Sequence, residues 1–324
     1  MRLDLVDSHC HLDAAEFDAD RGEVVERARA AGVRAQVLPA THADEWPALR
    51  EAASLAPGLH AAYGLHPTFL EHHRNTHLAL LEEWIERERP VAVGECGLDF
   101  FVEGLDADAQ SRFFEDQLRI ARDHGLPAIV HARRAVDQVS AAIRRVGGLR
   151  GVVHSFSGSR QQAEKLWELG FMIGLGGPVT YERANRLRTL VADMPLEHLL
   201  LETDAPDQPD SGIRGERNEP ARLRVVCETI AQLRGGDQRK RATAVRAADR
   251  SGLKPRIENS IAAMAAPADA GPQQLSGFIR VNPLASAFIR GNAFALRRQQ
   301  HLQRLARRGE RERPGDMRGR AQRS

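Results

Sequence analysis

Short apolar runs alternate, up to about residue 234 of this chain, with longer stretches in which apolar residues recur every three or four positions. The short runs are mainly aliphatic, as in buried parallel strands, and the longer stretches have the spacing of amphipathic helices. This alternation predicts a parallel sheet with crossover helices. We identify eight strand runs: Leu3–Val6, Ala35–Leu38, Leu59–Tyr63, Val91–Val93, Ala128–Val130, Gly151–Val153, Phe171–Gly174 and Leu199–Leu201.

The intervals between these runs contain the helical patterns. They include Arg21–Ala31, Leu78–Glu88, Gln110–Asp123, Ala135–Arg145, Arg160–Leu169, Glu182–Val191 and Pro220–Leu233. Eight strands with a helix after each is the count that closes a TIM (β/α)₈ barrel, a fold that takes roughly 250 residues as one domain. We therefore predict an α/β TIM barrel over residues 1–234. A doubly wound open sheet is the alternative, because a strand count does not establish closure.

The pattern is lost in residues 235–324, where Arg, Ala, Gly and Pro are frequent and apolar residues are scattered. This segment carries 19 Lys+Arg and 7 Asp+Glu, which leaves 27 and 37 for residues 1–234. The chain is thus an acidic body followed by a basic tail. Low hydrophobicity and high charge predict an irregular tail of low order. We consider two origins for it, an accessory extension and a shifted reading frame in a GC-rich gene.

Cysteine content and the lack of long apolar runs indicate the compartment. The three cysteines, Cys10, Cys96 and Cys227, are odd in number and have no paired spacing, which favours reduced thiols. No apolar run has the length of a signal peptide or a membrane span. We predict a cytoplasmic protein with no membrane interaction and no obligate protein partner.

Polar residues collect just after the apolar runs. His9 and His11 follow the first run, His66 the third, Glu95 the fourth, His131 the fifth, His154 the sixth and Asp204 the eighth. In a parallel barrel these strand ends meet at one face, where barrel enzymes place their active sites. The order of the chain therefore predicts a single polar site at that face.

The pair His9 and His11 has the spacing of two residues that points both imidazoles in the same direction, so that they can share a metal ion. Cys10 then faces the opposite side. We expect Asp7 and Asp13 to order the two imidazoles by hydrogen bonds. Such a pair alone is a weak signal, since two surface or core histidines explain it equally well.

Glu95 lies between glycines, where the backbone can turn sharply and bring its carboxylate close to a cation. A carboxylate can also bridge two metal ions. Taken alone, Glu95 fits a capping acid in a turn equally well, and Asp99 fits that role better. His131 and His154 directly follow buried strands, where a single histidine is more often structural.

Four histidines, one glutamate and one aspartate at five strand ends match a dinuclear hydrolase site. Their mixed nitrogen and oxygen donors suit Mg, Mn or Zn, so two divalent cations are the predicted cofactors. The remaining histidines near a predicted helix start are expected on the solvated surface. They are His60, His72, His73 and His77.

The segments that carry these residues resemble the TatD-type metal-dependent deoxyribonucleases, a branch of the amidohydrolase-like barrels. The matching segments are Asp7–Asp13, Gly64–Pro67, Gly94–Phe100, Gly125–Ala135, Gly151–Ser159, Ile173–Tyr181, Leu199–Pro209 and Arg217–Leu223. The resemblance runs in order from the first residues to about Arg234. Beyond that point it departs, because family members usually continue with another helix that closes the barrel.

The resemblance implies a role for each predicted ligand. His9, His11 and Asp204 would hold one metal, His131 and His154 the other, and Glu95 would bridge them. In similar enzymes the metals polarise a phosphodiester and lower the pKa of a bound water, which the aspartate corresponding to Asp204 orients or deprotonates. Asp204 and Glu95 are therefore the predicted catalytic residues.

We expect His66 and Arg133 to contact phosphate oxygens of the substrate. For Arg133 the alternative is an ion pair with a nearby acid. Arg217 and Asn218, in a loop near the last strand end, are further candidates for the same role.

The predicted function is exonuclease-type cleavage of DNA, either single-stranded or at duplex ends. One alternative is an amide, ester or lactone hydrolase of the same barrel superfamily, because the same water activation serves a carbonyl. Another is nucleic-acid binding through the basic tail, which would be sensitive to salt and independent of base sequence. The body, with ten more acidic than basic residues, is not an obvious DNA surface. Two divalent cations would offset about four of those charges.

Overall fold

A computed structural model describes residues 4–235, which form eight parallel strands alternating with eight α-helices. The strands are β1 (Leu5–Asp7), β2 (Val33–Pro39), β3 (Leu59–Tyr63), β4 (Ala92–Asp99), β5 (Ala128–Arg133), β6 (Gly151–Val153), β7 (Phe171–Leu175) and β8 (Leu199–Leu201). The helices are α1 (Arg21–Ala30), α2 (Trp46–Ser54), α3 (Thr76–Glu88), α4 (Ala107–His124), α5 (Val136–Val146), α6 (Arg160–Glu168), α7 (Asn185–Asp193) and α8 (Leu223–Arg234). Each strand pairs with the next one along the chain.

Backbone hydrogen bonds also connect the first and last strands. The amide of Ser8, just after β1, donates to the carbonyl of Leu201 in β8 at 2.9 Å, and the amide of Asp204 donates to the carbonyl of His9 at 2.9 Å. These bonds bring the two edges of the sheet together. The TIM barrel is therefore confirmed, and the open-sheet alternative is wrong.

Strands β4 and β5 extend furthest beyond the ends that the apolar pattern predicts. β4 continues past Val93 to Asp99, and β5 continues past Val130 to Arg133. After an irregularity between Val93 and Cys96, the two strands remain paired up to Asp99. Glu95 and His131 thus lie within their strands and do not follow them, which corrects the prediction. Polar residues that point into the site interrupt the apolar pattern while the hydrogen-bonded ladder continues.

Helix α2 is absent from the patterns identified above. Pro47 at its second position looks like a helix breaker in the sequence, but a proline in the first turn interrupts no intrahelical hydrogen bond. Trp46 and Leu49 of this helix are fully buried against the barrel. Burial of these two side chains supplies the apolar contact that a short helix needs.

The close contact between β4 and β5 requires a glycine at position 97. Gly97 has φ of 145°, and a Cβ added there would lie 2.1 Å from the backbone oxygen of His131 in β5. Only a residue without a side chain allows this approach of the two strands. The close approach supports the extension of β4 and β5 that carries Glu95 and His131.

The predicted basic tail, residues 235–324, lies outside the described residues except for its first residue, and remains a prediction. Within residues 4–235, no helix has both the length and the apolar character needed to cross a membrane.

Candidate metal centre

One oxygen of Glu95 faces the histidine pair that follows β1. Glu95 is 2% exposed, and its Oε2 lies 3.1 Å from His9 Nε2 and 3.6 Å from His11 Nε2. Asp204 Oδ1 faces the same two nitrogens at 3.5 and 3.7 Å. The two Nε2 atoms are 3.2 Å apart. Two nitrogen ligands about 2.0–2.1 Å from one tetrahedral cation would be separated by roughly 3.3 Å.

The other oxygen of Glu95 faces a second group of histidines. Its Oε1 lies 2.7 Å from His154 Nε2 and 3.1 Å from His131 Nδ1. His66 Nε2 is also 3.1 Å from this oxygen. The structure therefore places His66 beside the carboxylate at the centre of the site. Its predicted contact with substrate phosphate remains a prediction.

The protonation of this cluster favours cation binding. Burial lowers the pKa of His9 well below its ordinary value and also lowers the pKa of His66, so these imidazoles stay neutral and keep lone pairs for a metal. Burial also lowers the pKa of His154, but the carboxylates, led by Glu95, outweigh it and raise that pKa to about 10. Burial raises the pKa of Glu95, but the surrounding histidines, led by His154, hold it well below its usual range.

The buried carboxylates thus keep the ring of His154 protonated. A metal cation could take the place of that proton, because it would supply the same positive charge next to the carboxylates. Each oxygen of Glu95 faces its own set of ring nitrogens, so one carboxylate serves two neighbouring pockets. This arrangement fits two divalent metals on mixed nitrogen and oxygen donors. The predicted ligands His9, His11, Glu95, His131, His154 and Asp204 are all brought together.

Asp99 has a second role that the sequence pattern does not indicate. Its Oδ1 accepts hydrogen bonds from the amides of Phe101 and Val102 at 2.8 and 3.0 Å, as expected for a turn acid. Its Oδ2 lies 2.9 Å from His131 Nε2. Asp99 therefore holds the ring of His131 with Nδ1 turned towards Glu95. In the sequence, Asp99 stands two residues before the exposed Phe101, and nothing in that position indicates a contact with His131.

The predicted hydrogen bond from Asp7 to a histidine ring is wrong. Asp7 accepts from the amide and the hydroxyl of Thr203, at 2.9 and 2.5 Å, and more weakly from the backbone amide of His9. It fixes the backbone between β1 and β8. Within the described part of the chain, Asp13 Oδ1 and His11 Nδ1 are both buried without a hydrogen-bond partner, so Asp13 does not order His11 by such a bond.

Glu202 belongs to the site but is not among the predicted residues. It is buried, its Oε1 accepts from the amide of Ser155 at 2.5 Å, and the same oxygen lies 4.0 Å from His154 Nδ1. Burial raises its pKa to about 8. The available signal was its position two residues before Asp204, at the end of β8.

Arg133 stacks on an aromatic ring at the end of β5. Its Cζ lies 3.7 Å from the ring centroid of Phe101, and Arg134 Cζ lies 4.6 Å from the same centroid. Phe101 is 43% exposed, so part of its ring faces solvent together with the two guanidiniums that lie over it. The contact with Phe101 takes the place of the ion pair considered as the alternative for Arg133.

The two loop residues suggested for phosphate contact have structural partners. Arg217 donates to both carboxylate oxygens of Asp20 at 2.8 Å. The side-chain amide of Asn218 donates to the carbonyls of Thr203 and Asp207 at 2.9 and 2.8 Å. These contacts assign both residues to holding the loop after β8.

His73 is buried, contrary to the expectation of a solvated position. Its Nε2 lies 2.8 Å from the carbonyl oxygen of His66 and fixes the loop that carries that histidine. The neighbouring His72 is partly exposed.

Comparisons with known proteins identify the family to which this chain belongs. The family model described as "TatD related DNase" matches residues 6–250. The uncharacterized metal-dependent hydrolase YjjV of Escherichia coli K12 is 41% identical over 232 residues, covering 71% of this chain and 90% of the relative. The protein named "3'-5' ssDNA/RNA exonuclease TatD" from a Rahnella strain is 35% identical over 235 residues, covering 70% and 89%.

The crystal structure of YjjV superimposes with a TM-score of 0.70 at 40% identity, covering 75% of this chain and 95% of that one. The chain belongs to the TatD family of metal-dependent hydrolases.

Proposed function

We propose that this hydrolase is a divalent-metal-dependent exonuclease that removes nucleotides from the ends of single-stranded DNA. The observation that carries this choice of substrate is the exposed ring of Phe101 with the guanidiniums of Arg133 and Arg134 against it. An aromatic ring stacked with two guanidiniums matches the chemistry of a nucleotide, because a base can stack on the ring or on a guanidinium plane while arginine also pairs with phosphate.

The position of this group relative to the metal centre supports the proposal. Arg133 lies two residues after His131 in β5, and Phe101 lies two residues after Asp99, whose carboxylate contacts His131. The stacking surface therefore lies at the ends of β4 and β5, the strands that carry the predicted ligands Glu95 and His131. A base stacked on Phe101 would have its phosphate within a short distance of the metal centre.

In this proposal His9, His11 and Asp204 hold one cation, His131 and His154 hold the second, and Glu95 reaches both. The bound cations would neutralise phosphate charge and supply a nucleophile at neutral pH. His66, beside Glu95 Oε1, would contact a phosphate oxygen or complete the second pocket.

Asp204 is the residue we assign to handling the proton of the attacking water. The side-chain amide of Gln208 binds its Oδ2, which leaves Oδ1 facing His9 and His11. Burial raises the pKa of Asp204, and a raised pKa makes a carboxylate a better proton acceptor. Asp204 would therefore orient the water and accept its proton.

The first experiment measures nucleotide release from single-stranded DNA labelled at the 3′ or 5′ end, with added Mg²⁺ or Mn²⁺. We expect release by the wild type and a loss on the order of a hundredfold or more in Glu95→Gln and Asp204→Asn. The proposal would be contradicted if the folded, metal-loaded wild type released no nucleotide. Activity on a lactone or amide instead would favour the carbonyl hydrolase, and salt-sensitive DNA binding without cleavage would favour the binding protein.

The second experiment tests the stacking surface. Phe101→Ala should raise KM for single-stranded DNA about tenfold with little change in kcat, because base stacking contributes about 1–3 kcal/mol. Hydrolysis of a small dialkyl phosphate diester should be unchanged. The matched control is Val102→Ala, which truncates the neighbouring exposed residue. Equal effects of the two substitutions on KM would remove Phe101 from the substrate site.

A further inference from the structure

The loops after β2 and β3 bring together two histidines and a carboxylate outside the metal centre. His42 directly precedes a short 3₁₀ turn that contains Asp44, and His72 ends the 3₁₀ segment after β3. The rings of His42 and His72 stack with centroids 4.4 Å apart. Asp44 Oδ2 lies 3.8 Å from His42 Nδ1 and 3.7 Å from His72 Nδ1.

We propose that His42, Asp44 and His72 form a further divalent transition-metal site, separate from the centre around Glu95. The three donor atoms lie within 4.8 Å of one another. In a tetrahedral zinc site such atoms are separated by roughly 3.3 Å. The lone pairs of the two stacked rings lie in nearly parallel ring planes, so the exposed His72 side chain would turn out of the stack and Asp44 would move inward to complete the pocket. Three protein ligands leave one coordination position for water or another ligand.

An unpaired buried nitrogen supports this assignment independently. His42 is 7% exposed, and within residues 4–235 its Nδ1 has no hydrogen-bond partner. A buried polar atom without a partner is costly, and metal coordination would remove that cost. The lone pair of this atom faces the carboxylate that would share the metal.

The other nitrogen of His42 lies close to a carboxylate that could accept its proton. His42 Nε2 lies 3.4 Å from Glu45 Oε2, and the same oxygen accepts a hydrogen bond from the hydroxyl of Thr41 at 2.6 Å. Histidines that bind metals almost always donate their second N–H to a carboxylate, carbonyl or water. Glu45 would thus keep the proton on Nε2 and leave Nδ1 as the ligand atom.

The two loops are held in place before any ion binds. The amide of His66 donates to the carbonyl of Thr41 at 2.8 Å, which connects the loop after β3 to the loop after β2. The ring of His73, next to His72, is anchored on the carbonyl of His66. The carboxylates of Asp44 and Glu45 give the cluster a negative charge that attracts a cation. Its two nitrogens and one oxygen suit Zn²⁺, Co²⁺, Ni²⁺ or Cu²⁺ better than Mg²⁺.

The test is the zinc content of the full-length protein after equilibration in buffered Zn²⁺, with the protein folded and unbound metal removed. His72→Gln and Asp44→Asn should each hold about one Zn²⁺ fewer per chain than the wild type. His60→Gln, the same substitution at a partly buried histidine of β3, should hold as many as the wild type. The same zinc content in all four proteins would overturn the proposal.

Two further measurements distinguish a metal site from a histidine ion pair. Cu²⁺ bound to this site should show two imidazole nitrogens in its paramagnetic resonance spectrum, and one in His72→Gln. Glu45→Gln should weaken Zn²⁺ binding about 10–100-fold while the number of sites at saturation is unchanged. A spectrum unaffected by His72→Gln would also overturn the proposal. Because all readouts are metal binding, they do not depend on which substrate the enzyme cleaves.

Discussion

At the scale of single residues, the candidate metal centre is built around the carboxylate of Glu95, which is surrounded by imidazoles and removed from water. Glu95 is stable in this position because its two oxygens contact separate sets of ring nitrogens. The rings must in turn be oriented, and for His131 the orienting group is Asp99. A carboxylate that orients a ligand histidine, as Asp99 does for His131, affects metal affinity without binding the metal itself.

We predict that Asp99→Asn lowers the affinity of the centre for Mn²⁺ about 10–100-fold and lowers activity at subsaturating metal. An asparagine keeps the size of the side chain but contacts His131 without the negative charge. The measurement is activity as a function of Mn²⁺ concentration, with the exposed Asp116→Asn as control. Recovery of activity at high Mn²⁺ is expected, and an unchanged metal dependence would exclude the orienting role.

At the scale of secondary structure, the apolar runs predicted three of the strands with their observed bounds. β3, β6 and β8 have the predicted bounds. β4 and β5 were underestimated because Glu95 and His131 interrupt the apolar pattern within a continuing ladder. No helical pattern was identified for α2, a short helix with a proline in its first turn.

The candidate site could be predicted only in part, because some of its contacts join residues that are far apart in the sequence. The strand ends indicated which residues converge, because parallel strands of a barrel share one face. Contacts across the barrel, such as Asp99 with His131 and Glu202 near His154, join residues far apart in the sequence. No local spacing encodes such contacts.

The approach of β4 to β5 leads to a prediction with an internal control. Gly97→Ala should destabilise the protein by about 3 kcal/mol or more, because the new Cβ would meet the His131 backbone at a positive φ. Gly22→Ala, in helix α1 where nothing lies within 4 Å of the added Cβ, should stabilise it by about 0.5–1 kcal/mol. Urea unfolding of both variants is the measurement. A destabilising effect of similar size in both would contradict this account of Gly97.

At the scale of the whole molecule, closure of the barrel depends on how the loop after β8 and helix α8 are attached to the first strands. The loop after β8 contains Asp210, which is buried and receives two hydrogen bonds from Arg222 at the start of α8, at 2.6 and 2.9 Å. Asp210 also accepts from the amide of Gly212. Helix α8 packs on β1 and β8, so this ion pair holds the helix that covers the junction of the first and last strands.

We predict that Asp210→Asn lowers the free energy of unfolding by about 2 kcal/mol at pH 7, since hydrogen bonds to charged groups contribute about 1.5–3 kcal/mol. Burial raises the pKa of Asp210, but the hydrogen bond from Arg222 outweighs it and holds the pKa below 3.8. A lowered pKa means that the stabilisation is fully present above about pH 4 and is lost as the pH falls through the folded-state pKa.

Urea unfolding of wild type and Asp210→Asn at pH 7, 4 and 2.5 measures this effect. The difference between the two proteins should shrink towards the lowest pH. A difference that stays constant over this range would show that the charge of Asp210 does not contribute.

Local opening of the barrel near the candidate metal centre can be measured through the reactivity of two neighbouring cysteines. Cys10 follows His9 and Cys96 follows Glu95, and both thiols are fully buried with pKa values raised by that burial. Neither thiol can be alkylated until the segment that carries it, the loop after β1 for Cys10 and strand β4 for Cys96, separates from its neighbours. The rate of alkylation under native conditions therefore reports how often the metal-binding strands open. Bound metal should slow the labelling of Cys10 and Cys96 and leave that of the partly exposed Cys227 unchanged.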